Sequence, residues 1–267
     1  MTIIVRPGIK NNGNSRTVSV SCLGKWGRFG NQLFQYAFAR AYAEKYQCRL
    51  ETPRWIGQEL FDIHDPPISR TLIRHHNSSL PPTGQTNIDL LGYYQNAQCL
   101  RFMTRSWLKQ LYMFKDEWVS RFPNPKEPYV AAHLRRGDYV SKFSDVYCVV
   151  SEKSYIRACE KFGIDKSKIV WVSEENPTVD EELSRRGLGF LPDFFKLINA
   201  DVVLRSNSTF AWWAGVLGNG KVFSPVVDDK TGWQDVDFVE GNWPKLVDTK
   251  NTKGSKPVCT DLFLEEN

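Results

Sequence analysis

An apolar run near the middle of the chain is followed by charged side chains on a single turn. The run Val130–Leu134 is typical of a buried strand and contains His133. The turn after it carries Arg135, Arg136 and Asp138. Open α/β sheets bind ligands at the carboxyl ends of their strands, and a guanidinium is a planar fork that fits a pair of phosphate oxygens. Two such forks favour a doubly charged ligand, although surface arginines and a core histidine explain the pattern equally well.

A second segment, after the predicted strand Val202–Leu204, favours phosphate binding. Small polar residues follow this strand, and an apolar helical pattern begins at Thr209. Amides at a helix N-terminus carry partial positive charge, and hydroxyl groups there add donors, so the segment can seat an anion. The structural alternative is that these side chains are ordinary helix caps. The residues concerned are Ser206, Asn207, Ser208 and Thr209, with Phe210 next.

A glycine-rich loop lies near the start, between a predicted strand at 18–23 and a predicted helix whose apolar positions run from Leu33 to Tyr42. Arg28 lies within the loop, and Asn31 is a candidate helix cap. Glycines let the backbone approach a ligand closely or make an unusual turn. The spacing matches neither the dinucleotide fingerprint nor the phosphate loop, and a tight turn alone explains it as well as ligand binding does.

Three prolines between residues 123 and 128 predict a stiff linker that divides the chain into an N-terminal lobe, 1–122, and a C-terminal lobe, 123–267. Strand and helix patterns alternate after this linker, which predicts a parallel sheet with helices on both faces. The second lobe is therefore expected to bind the nucleotide. The predicted strands are 129–134, 169–172, 202–204 and 221–223, and the predicted helices are 151–162, 178–186, 193–199 and 209–217.

The first lobe is less regular. Its pattern predicts a short strand at Arg49–Glu51 and a helix at 106–119, whose aromatic and leucine side chains share one face and indicate packing in a core. The stretch 52–82 contains no assignable element. The polar tail from Asp248 predicts a loose segment.

Composition excludes several classes of protein. With 41% hydrophobic and 24% charged residues, the chain is typical of a globular protein. Lysine and arginine are scattered, which argues against nucleic-acid binding, and the net charge of +5 suits an anionic ligand. No run of about 18 apolar residues predicts a transmembrane helix, and residues 1–14 lack a signal-peptide core, so a cytoplasmic protein is expected. The cysteines form no Cys-x-x-Cys pair, which predicts buried reduced thiols and no zinc site.

The three polar segments, in this order, resemble the fucosyltransferases of glycosyltransferase family 11, the α-1,2-fucosyltransferases, and more distantly the α-1,6- and protein O-fucosyltransferases. The segment Leu91-Gly92-Tyr93-Tyr94-Gln95 is similar to another stretch of the family. The resemblance spans residues 18–225. The motifs that match are Gly27-Arg28-Phe29-Gly30-Asn31-Gln32, His133-Leu134-Arg135-Arg136-Gly137-Asp138-Tyr139 and Ser206-Asn207-Ser208-Thr209-Phe210-Ala211-Trp212-Trp213.

The resemblance implies an α/β fold of the GT-B-like kind, with two Rossmann-like lobes and the nucleotide-sugar cleft between them. It implies GDP-L-fucose as donor, an oligosaccharide as acceptor and inversion at the anomeric carbon. It also implies that the reaction needs no metal and no other cofactor. The implied linkage is α-1,2 to galactose or a similar terminal residue.

Carried over residue by residue, the resemblance assigns the donor's phosphates to Arg135, a place beside the nucleotide to His133, and the guanine to Asp193. Arg28 and Asn31 match the glycine-loop residues that reach the reaction centre from the first lobe. The loop that closes on the donor is similar to Ser208, Thr209 and Phe210, and Ser206 and Asn207 are also assigned to donor binding.

The chain departs from the family pattern at a few positions. Lys25 and Trp26 replace the small residues usual before the Gly-Arg pair. Leu191 and Pro192 stand where a more polar sequence is expected, and Arg205 stands where an apolar residue is commoner. These differences concern acceptor choice and loop shape more than donor chemistry.

The implied reaction concentrates catalysis on the leaving diphosphate, whose growing negative charge Arg135 and the amides near Thr209 would stabilise. Asp138 is the nearest candidate for a base that takes the proton of the acceptor hydroxyl. The alternative is that Asp138 orients Arg135 or caps the turn. Asp235 and Asp237 match the Asp-x-Asp metal motif of other sugar transferases, but they lie beyond the last clear strand and are interpreted as a solvated pair.

Two other functions compete with transfer. A GDP-sugar-binding or carbohydrate-binding protein would keep the fold without transfer activity. An oxidoreductase that binds a dinucleotide at the glycine loop is the third hypothesis, and the absence of a Gly-x-Gly-x-x-Gly spacing argues against it.

Overall fold

Strands and helices alternate along the chain in the computed structural model, which describes residues 16–76, 82–100, 103–227 and 231–242. The strands are β1 (Thr17–Ser19), β2 (Arg49–Glu51), β3 (Ile73–His76), β4 (Ile88–Leu91), β5 (Val130–Leu134), β6 (Cys148–Val150), β7 (Ile169–Ser173), β8 (Val202–Leu204), β9 (Lys221–Pro225), β10 (Gly232–Gln234) and β11 (Phe238–Glu240). The helices are α1 (Phe29–Lys45), α2 (Gly57–Leu60), α3 (Ala97–Leu100), α4 (Arg105–Leu111), α5 (Asp116–Arg121), α6 (Asp138–Ser141), α7 (Glu152–Phe162), α8 (Glu181–Arg185), α9 (Leu191–Ile198) and α10 (Thr209–Leu217).

The first sheet has four parallel strands in the order β2-β1-β4-β3. The helix α1 connects β1 to β2, and β2 lies at its predicted position. The predicted strand 18–23 is too long, because the chain turns directly after β1. In that turn the amide of Leu23 donates to the carbonyl of Val20 at 3.0 Å.

The second sheet has five strands in the order β11-β9-β8-β5-β7. All pairs are parallel except β11 with β9, so the carboxyl ends of β5, β7 and β8 lie at one edge. Alternate residues of β5 enter different core clusters, since Ala131 packs with α9 and α10 while Ala132 packs with α7. The predicted parallel sheet with both faces covered is confirmed, with β11 as an antiparallel edge. A separate parallel pair joins β6 and β10.

Local signals placed the helix α7 correctly. The Ser151 hydroxyl caps its amino end by accepting from the amide of Ser154, and Gly163 ends it in the left-handed conformation with φ of +65°. The helix α10 and the strand β8 have the predicted bounds.

The predicted helix at 106–119 is wrong, because two short helices, α4 and α5, occupy this stretch. Between them Phe114 forms an antiparallel bridge with Phe61, and the amide of Lys115 donates to the carbonyl of Leu60 at 3.0 Å. The hydroxyl of Tyr112 donates to the carbonyl of Leu33. Tertiary pairing thus outweighs the helical spacing of the sequence.

The two sheets share one hydrophobic core where α1 packs on α10. Phe34 of α1 contacts Trp212 and Trp213 of α10, with ring centroids 4.7 and 4.9 Å apart. The same core cluster contains Val18 of β1 and Ala131 of β5. The division at residue 122 stays a prediction, since this core crosses it.

The described cysteines are buried free thiols, as the sequence predicts: Cys22, Cys48, Cys99, Cys148 and Cys159. The tail from Asp248, with Cys259, lies outside the described residues. None of the helices within the described ranges is long and apolar enough to cross a membrane.

Candidate functional site

The amino ends of α1 and α10 meet at close range. A Cβ atom on Gly30 would lie 2.7 Å from the amide nitrogen of Phe210 and 2.7 Å from the hydroxyl of Thr209, so only glycine fits there. Next to it, the Asn31 side-chain oxygen accepts from the Thr209 hydroxyl at 2.9 Å and from the Gln95 amide at 3.0 Å. The glycine loop and the polar loop before α10 are therefore one structural unit.

A cavity of about 1020 Å³ opens beside this contact, between the first sheet and the carboxyl ends of β5 and β7. Its size suits a nucleotide-sized ligand. Ser206 is the one predicted site residue that does not line it. The predicted residues that do are Arg28, Asn31, His133, Arg135, Asp138, Asp193, Asn207, Ser208, Thr209 and Phe210.

Two arginines and two carboxylates form a charge cluster at the cavity wall. Arg28 donates to Glu174 at 2.8 Å and to Asp138 at 3.1 Å, and Arg135 contacts both carboxylates as well. The Arg28 side chain is 64% exposed and that of Arg135 only 8%. Water therefore screens the electrostatic interactions of Arg28 far more than those of Arg135. The cluster, defined by these four residues, has no net formal charge. A diphosphate must therefore compete with two carboxylates for the same guanidinium donors.

The guanidinium of Arg135 also packs on an aromatic ring. Its guanidinium carbon lies 4.5 Å from the centroid of Tyr139, a cation-π distance. Tyr139 in turn stacks on Tyr147, with centroids 4.6 Å apart and planes at 13°. This support holds the guanidinium at the cavity in one orientation.

Arg136 takes a different role from the one its sequence position suggests. It is 2% exposed, donates to the carbonyl of Val150 at 2.9 Å and lies over the ring of Trp233 at 4.6 Å. It does not line the cavity, so it holds β6 and β10 against β5 instead. The expectation of two adjacent forks on one ligand is wrong for Arg136, because successive side chains point to opposite sides of an extended chain. The second fork at the cavity is Arg28.

His133 is a buried, neutral side chain at the cavity wall. Its Nδ1 lies 2.7 Å from the hydroxyl of Ser206, which is itself fully buried and so acts on the site only through His133. Burial, followed by the positive charges of Arg136 and Arg28, lowers the pKa of His133 to about 3. His133 can therefore offer a hydrogen bond to a ligand at neutral pH, but no positive charge.

This pKa predicts how stability changes with pH. Between pH 6.5 and about 3 the unfolded chain binds a proton at His133 that the folded chain does not, so stability falls as the pH drops below 6.5. We expect His133→Gln to remove up to roughly 1 kcal/mol per pH unit of that slope. Urea unfolding from pH 7 to pH 4.5 measures it, with His64→Gln on an exposed side chain as control. Identical slopes in wild type and His133→Gln would contradict the assignment.

The loop before α10 is ordered by its own side chains. The Ser208 hydroxyl caps the helix by accepting from the amide of Phe210 at 3.2 Å. Asn207 donates to the carbonyl of Cys148 at 2.9 Å, while its buried side-chain oxygen has no hydrogen-bond partner among the described residues. Arg205 is buried and donates to Ser224 and to the carbonyl of Ser206, at 2.7 and 2.9 Å. The loop thus places a capped helix end at the cavity wall.

Asp193 lies in the first turn of α9 and is nearly buried. Its carboxylate accepts from the hydroxyl of Thr178 at 2.5 Å and contacts the ammonium of Lys196 at 3.5 Å. These contacts tie the loop after β7 to α9. Guanine binding by Asp193 stays a prediction.

The Asp-x-Asp pair lies away from the cavity. Asp235 accepts from the hydroxyl of Ser151 at 2.6 Å and pairs with Lys153 at 3.3 Å. These two contacts lower the pKa of Asp235. Within the part of the chain that the structure describes, no group of three or more His, Cys, Asp or Glu side chains is placed to hold a metal ion.

Glu174 is the residue that sequence reasoning missed. It follows β7 directly, at the same sheet edge as Arg135, and it contacts both arginines of the charge cluster. The sequence offered one signal for Glu174, which is a charged residue placed just after the predicted strand 169–172, as Arg135 follows its own strand. Gln95, which bonds Asn31, lies in a segment already noted for its resemblance but without an assigned role.

Comparison with known proteins finds similarity to one glycosyltransferase family. Residues 119–240 match the model of Glycosyl transferase family 11, and no curated protein matches the chain. The NodZ α-1,6-fucosyltransferase soaked with GDP-fucose shares 14% identity and a TM-score of 0.50, over 85% of this chain and 99% of that one. The fucosyltransferase NodZ from Bradyrhizobium shares 12% identity and a TM-score of 0.53, over 85% of this chain and 99% of that one.

The likeness to these structures shows the fold, which is the mixed α/β, GT-B-like fold predicted from the sequence. The family match covers the second sheet, Arg135, Glu174 and the start of α10. Arg28 and Asn31 lie outside it. Residues 119–240 are therefore similar to glycosyltransferase family 11.

Proposed function

We propose that the protein is an inverting, metal-independent fucosyltransferase that moves L-fucose from GDP-β-L-fucose to a hydroxyl group of a glycan. The observation that carries the proposal is that Arg28, Arg135 and the amino end of α10 face one cavity. Such a site presents positive groups from three elements to one anionic ligand. The structural neighbours are described as an α-1,6-fucosyltransferase and as a structure soaked with GDP-fucose, which agrees with this donor.

In the reaction the acceptor oxygen forms a bond to the anomeric carbon while the bond from that carbon to the diphosphate oxygen breaks. The electron pair of the broken bond stays on GDP, so negative charge grows there. Arg135 is desolvated and held by Tyr139, and it stabilises this charge more strongly than a solvated side chain can. The first-turn amides of α10 add the partial charge of the helix end.

Donor binding also changes the charge cluster. A diphosphate that takes the guanidinium donors of Arg28 and Arg135 releases oxygens of Asp138 and Glu174. A released carboxylate can accept the proton of the acceptor hydroxyl, which is the general-base role proposed for Asp138. Glu174 contacts the same two arginines as Asp138 and is the second candidate for the general base.

The proposed linkage is α-1,2 to galactose or a similar terminal sugar, and it rests on the family resemblance. The test offers GDP-fucose, GDP-mannose and UDP-galactose with galactose-, rhamnose- and xylose-ended oligosaccharides, followed by NMR of the product. We expect transfer from GDP-fucose alone and an α-1,2 product. Tight GDP binding without transfer to any acceptor would instead show a GDP-sugar-binding protein. A cytoplasmic location stays a prediction from the sequence.

Metal independence gives a separate expectation. The leaving diphosphate is neutralised by side chains and a helix end in this mechanism, so chelation should not slow the reaction. We expect the initial rate of transfer in excess EDTA to equal the untreated rate within error. A rate that falls with EDTA and returns with Mg²⁺ or Mn²⁺ would overturn this part of the proposal.

A further inference from the structure

Two exposed aromatic side chains lie side by side at the edge of the cavity. Trp26 is 39% exposed and Tyr93 is 40% exposed, and their ring centroids are 6.3 Å apart with planes at 40°. Tyr93 lines the cavity, and so does Gly27, the residue after Trp26. Large aromatic surface is normally buried. An exposed aromatic pair beside a cavity therefore offers apolar surface on which a ligand can pack.

The backbone that carries Trp26 is held in place. Its amide donates to the carbonyl of Cys22 at 3.0 Å, and its carbonyl accepts from the buried side chain of Gln35 at 3.2 Å. Gly27 has φ of +71°, and a Cβ atom there would lie 2.4 Å from the side-chain nitrogen of Asn31. These contacts thus restrict the backbone of the turn that carries the Trp26 indole to one conformation.

Tyr93 is turned outward by its neighbour. Tyr94 is fully buried, stacks on Phe38 with centroids 4.1 Å apart and adopts φ of +52°, a conformation that residues other than glycine rarely take. Such conformations persist only where the surroundings enforce them. With Tyr94 fixed in the core, Tyr93 projects to the cavity side.

We propose that Trp26 and Tyr93 form the platform on which a pyranose ring of the acceptor packs. The proposal rests on the proposed function. One face of a pyranose presents C–H bonds that pack against the electron-rich face of an aromatic ring. The platform lies in loops of the first sheet, next to Arg28, whereas Arg135 and the amino end of α10 follow strands of the second sheet. An acceptor on the platform therefore approaches the charge cluster from the first-sheet side.

The other exposed aromatic side chains at the cavity are less suited to this role. Phe143 and Tyr147 are 40% and 39% exposed and line the cavity from the second-sheet side. Tyr147 is already stacked on Tyr139, which supports the guanidinium of Arg135. That wall serves the donor side, whereas none of the cations in the described ranges lies over the ring of Trp26 or Tyr93.

The test measures acceptor and donor kinetics in Trp26→Ala and Tyr93→Ala. We expect the acceptor KM to rise roughly five- to tenfold in each, with the KM for GDP-fucose and the rate of its hydrolysis by water within twofold of wild type. The matched control is Trp171→Ala, which removes an indole of similar exposure, 37%, that contacts the buried Tyr155 and not Tyr93. An unchanged acceptor KM in both platform variants, or a rise only in Phe143→Ala, would overturn the proposal.

A second measurement separates failure of the platform from failure of the proposed function. Saturation-transfer NMR detects contact between a galactose-ended oligosaccharide and the protein without any transfer. If wild type shows neither GDP binding nor transfer, the fucosyltransferase proposal fails. The platform is then judged by this contact alone, since loss in Trp26→Ala supports it and an unchanged signal refutes it.

Discussion

Replacing Arg135 with alanine is expected to lower the rate of fucose transfer by at least about a hundredfold, because a donor aimed at charge that develops in the transition state contributes about 3 to 4 kcal/mol. The expectation is large because the Arg135 side chain is only 8% exposed and lies on the ring of Tyr139. Its removal also leaves Asp138 and Glu174 without their buried partner, so that their negative charges repel the donor. Initial rates at saturating GDP-fucose, with circular dichroism to verify folding, measure the effect.

Two further variants make the Arg135 result specific. Arg135→Lys keeps the charge but loses the planar fork, and should recover only part of the rate. Arg121→Ala is the matched control, since Arg121 also binds two carboxylates, Asp180 at 2.8 Å and Glu182 at 3.0 Å, but does not line the cavity. A folded Arg135→Ala protein with a normal rate would refute the assignment of the diphosphate to this arginine.

Gly30→Ala is expected to damage both stability and transfer, although alanine is the better helix former by roughly 1 kcal/mol. The added Cβ would lie 2.7 Å from the amide nitrogen of Phe210 and 2.8 Å from the carbonyl carbon of Thr209, and backbone atoms cannot move aside. The ends of α1 and α10 must then separate. Overpacking of this kind costs about 1 to 3 kcal/mol, and a shift on the order of 1 Å can slow catalysis by about a hundredfold.

The control for Gly30→Ala is Gly163→Ala, where a Cβ atom meets nothing within 4 Å and only the φ of +65° is unfavourable. That variant should lose about 1 kcal/mol of stability and keep the wild-type rate of transfer. Urea unfolding and initial rates test both. A Gly30→Ala protein as stable and as active as wild type would show that α1 and α10 can part freely and that their contact does not position the site.

In the second half, the strands β5, β7, β8 and β9 and the helices α7 and α10 were predictable because each carries its own local signal, whereas α6, β6, β10 and β11 were not predicted. Ser151 and Gly163 mark the ends of α7, and apolar runs mark β5 and β8. In the first half, β4 escaped prediction because all four of its residues are buried, including Asp89, whose carboxylate accepts from Ser19 at 2.9 Å. A strand buried on both faces shows no alternation of apolar and polar residues, and an acidic residue within such a strand favours the prediction of a loop.

The candidate site was predictable wherever one segment carries it and unpredictable where segments meet. The turn with Arg135 and Asp138 was identified from its position after β5. The pairing of Arg28 with Glu174 joins residues 146 positions apart and depends on how the two sheets approach each other. The choice between Arg135 and Arg136 likewise needed the direction of each side chain, which sequence spacing after a strand does not fix.

The four-residue charge cluster supplies the two arginines with counter-ions from the protein itself. Chloride or inorganic phosphate has only its charge with which to displace the two carboxylates, so such small anions compete poorly for the arginines. The diphosphate of GDP-fucose carries a similar charge, but the donor also brings a base and a sugar that can bind elsewhere in the cavity. Because the carboxylates offset the attraction of the arginines for any anion, selectivity against free phosphate depends on these additional contacts.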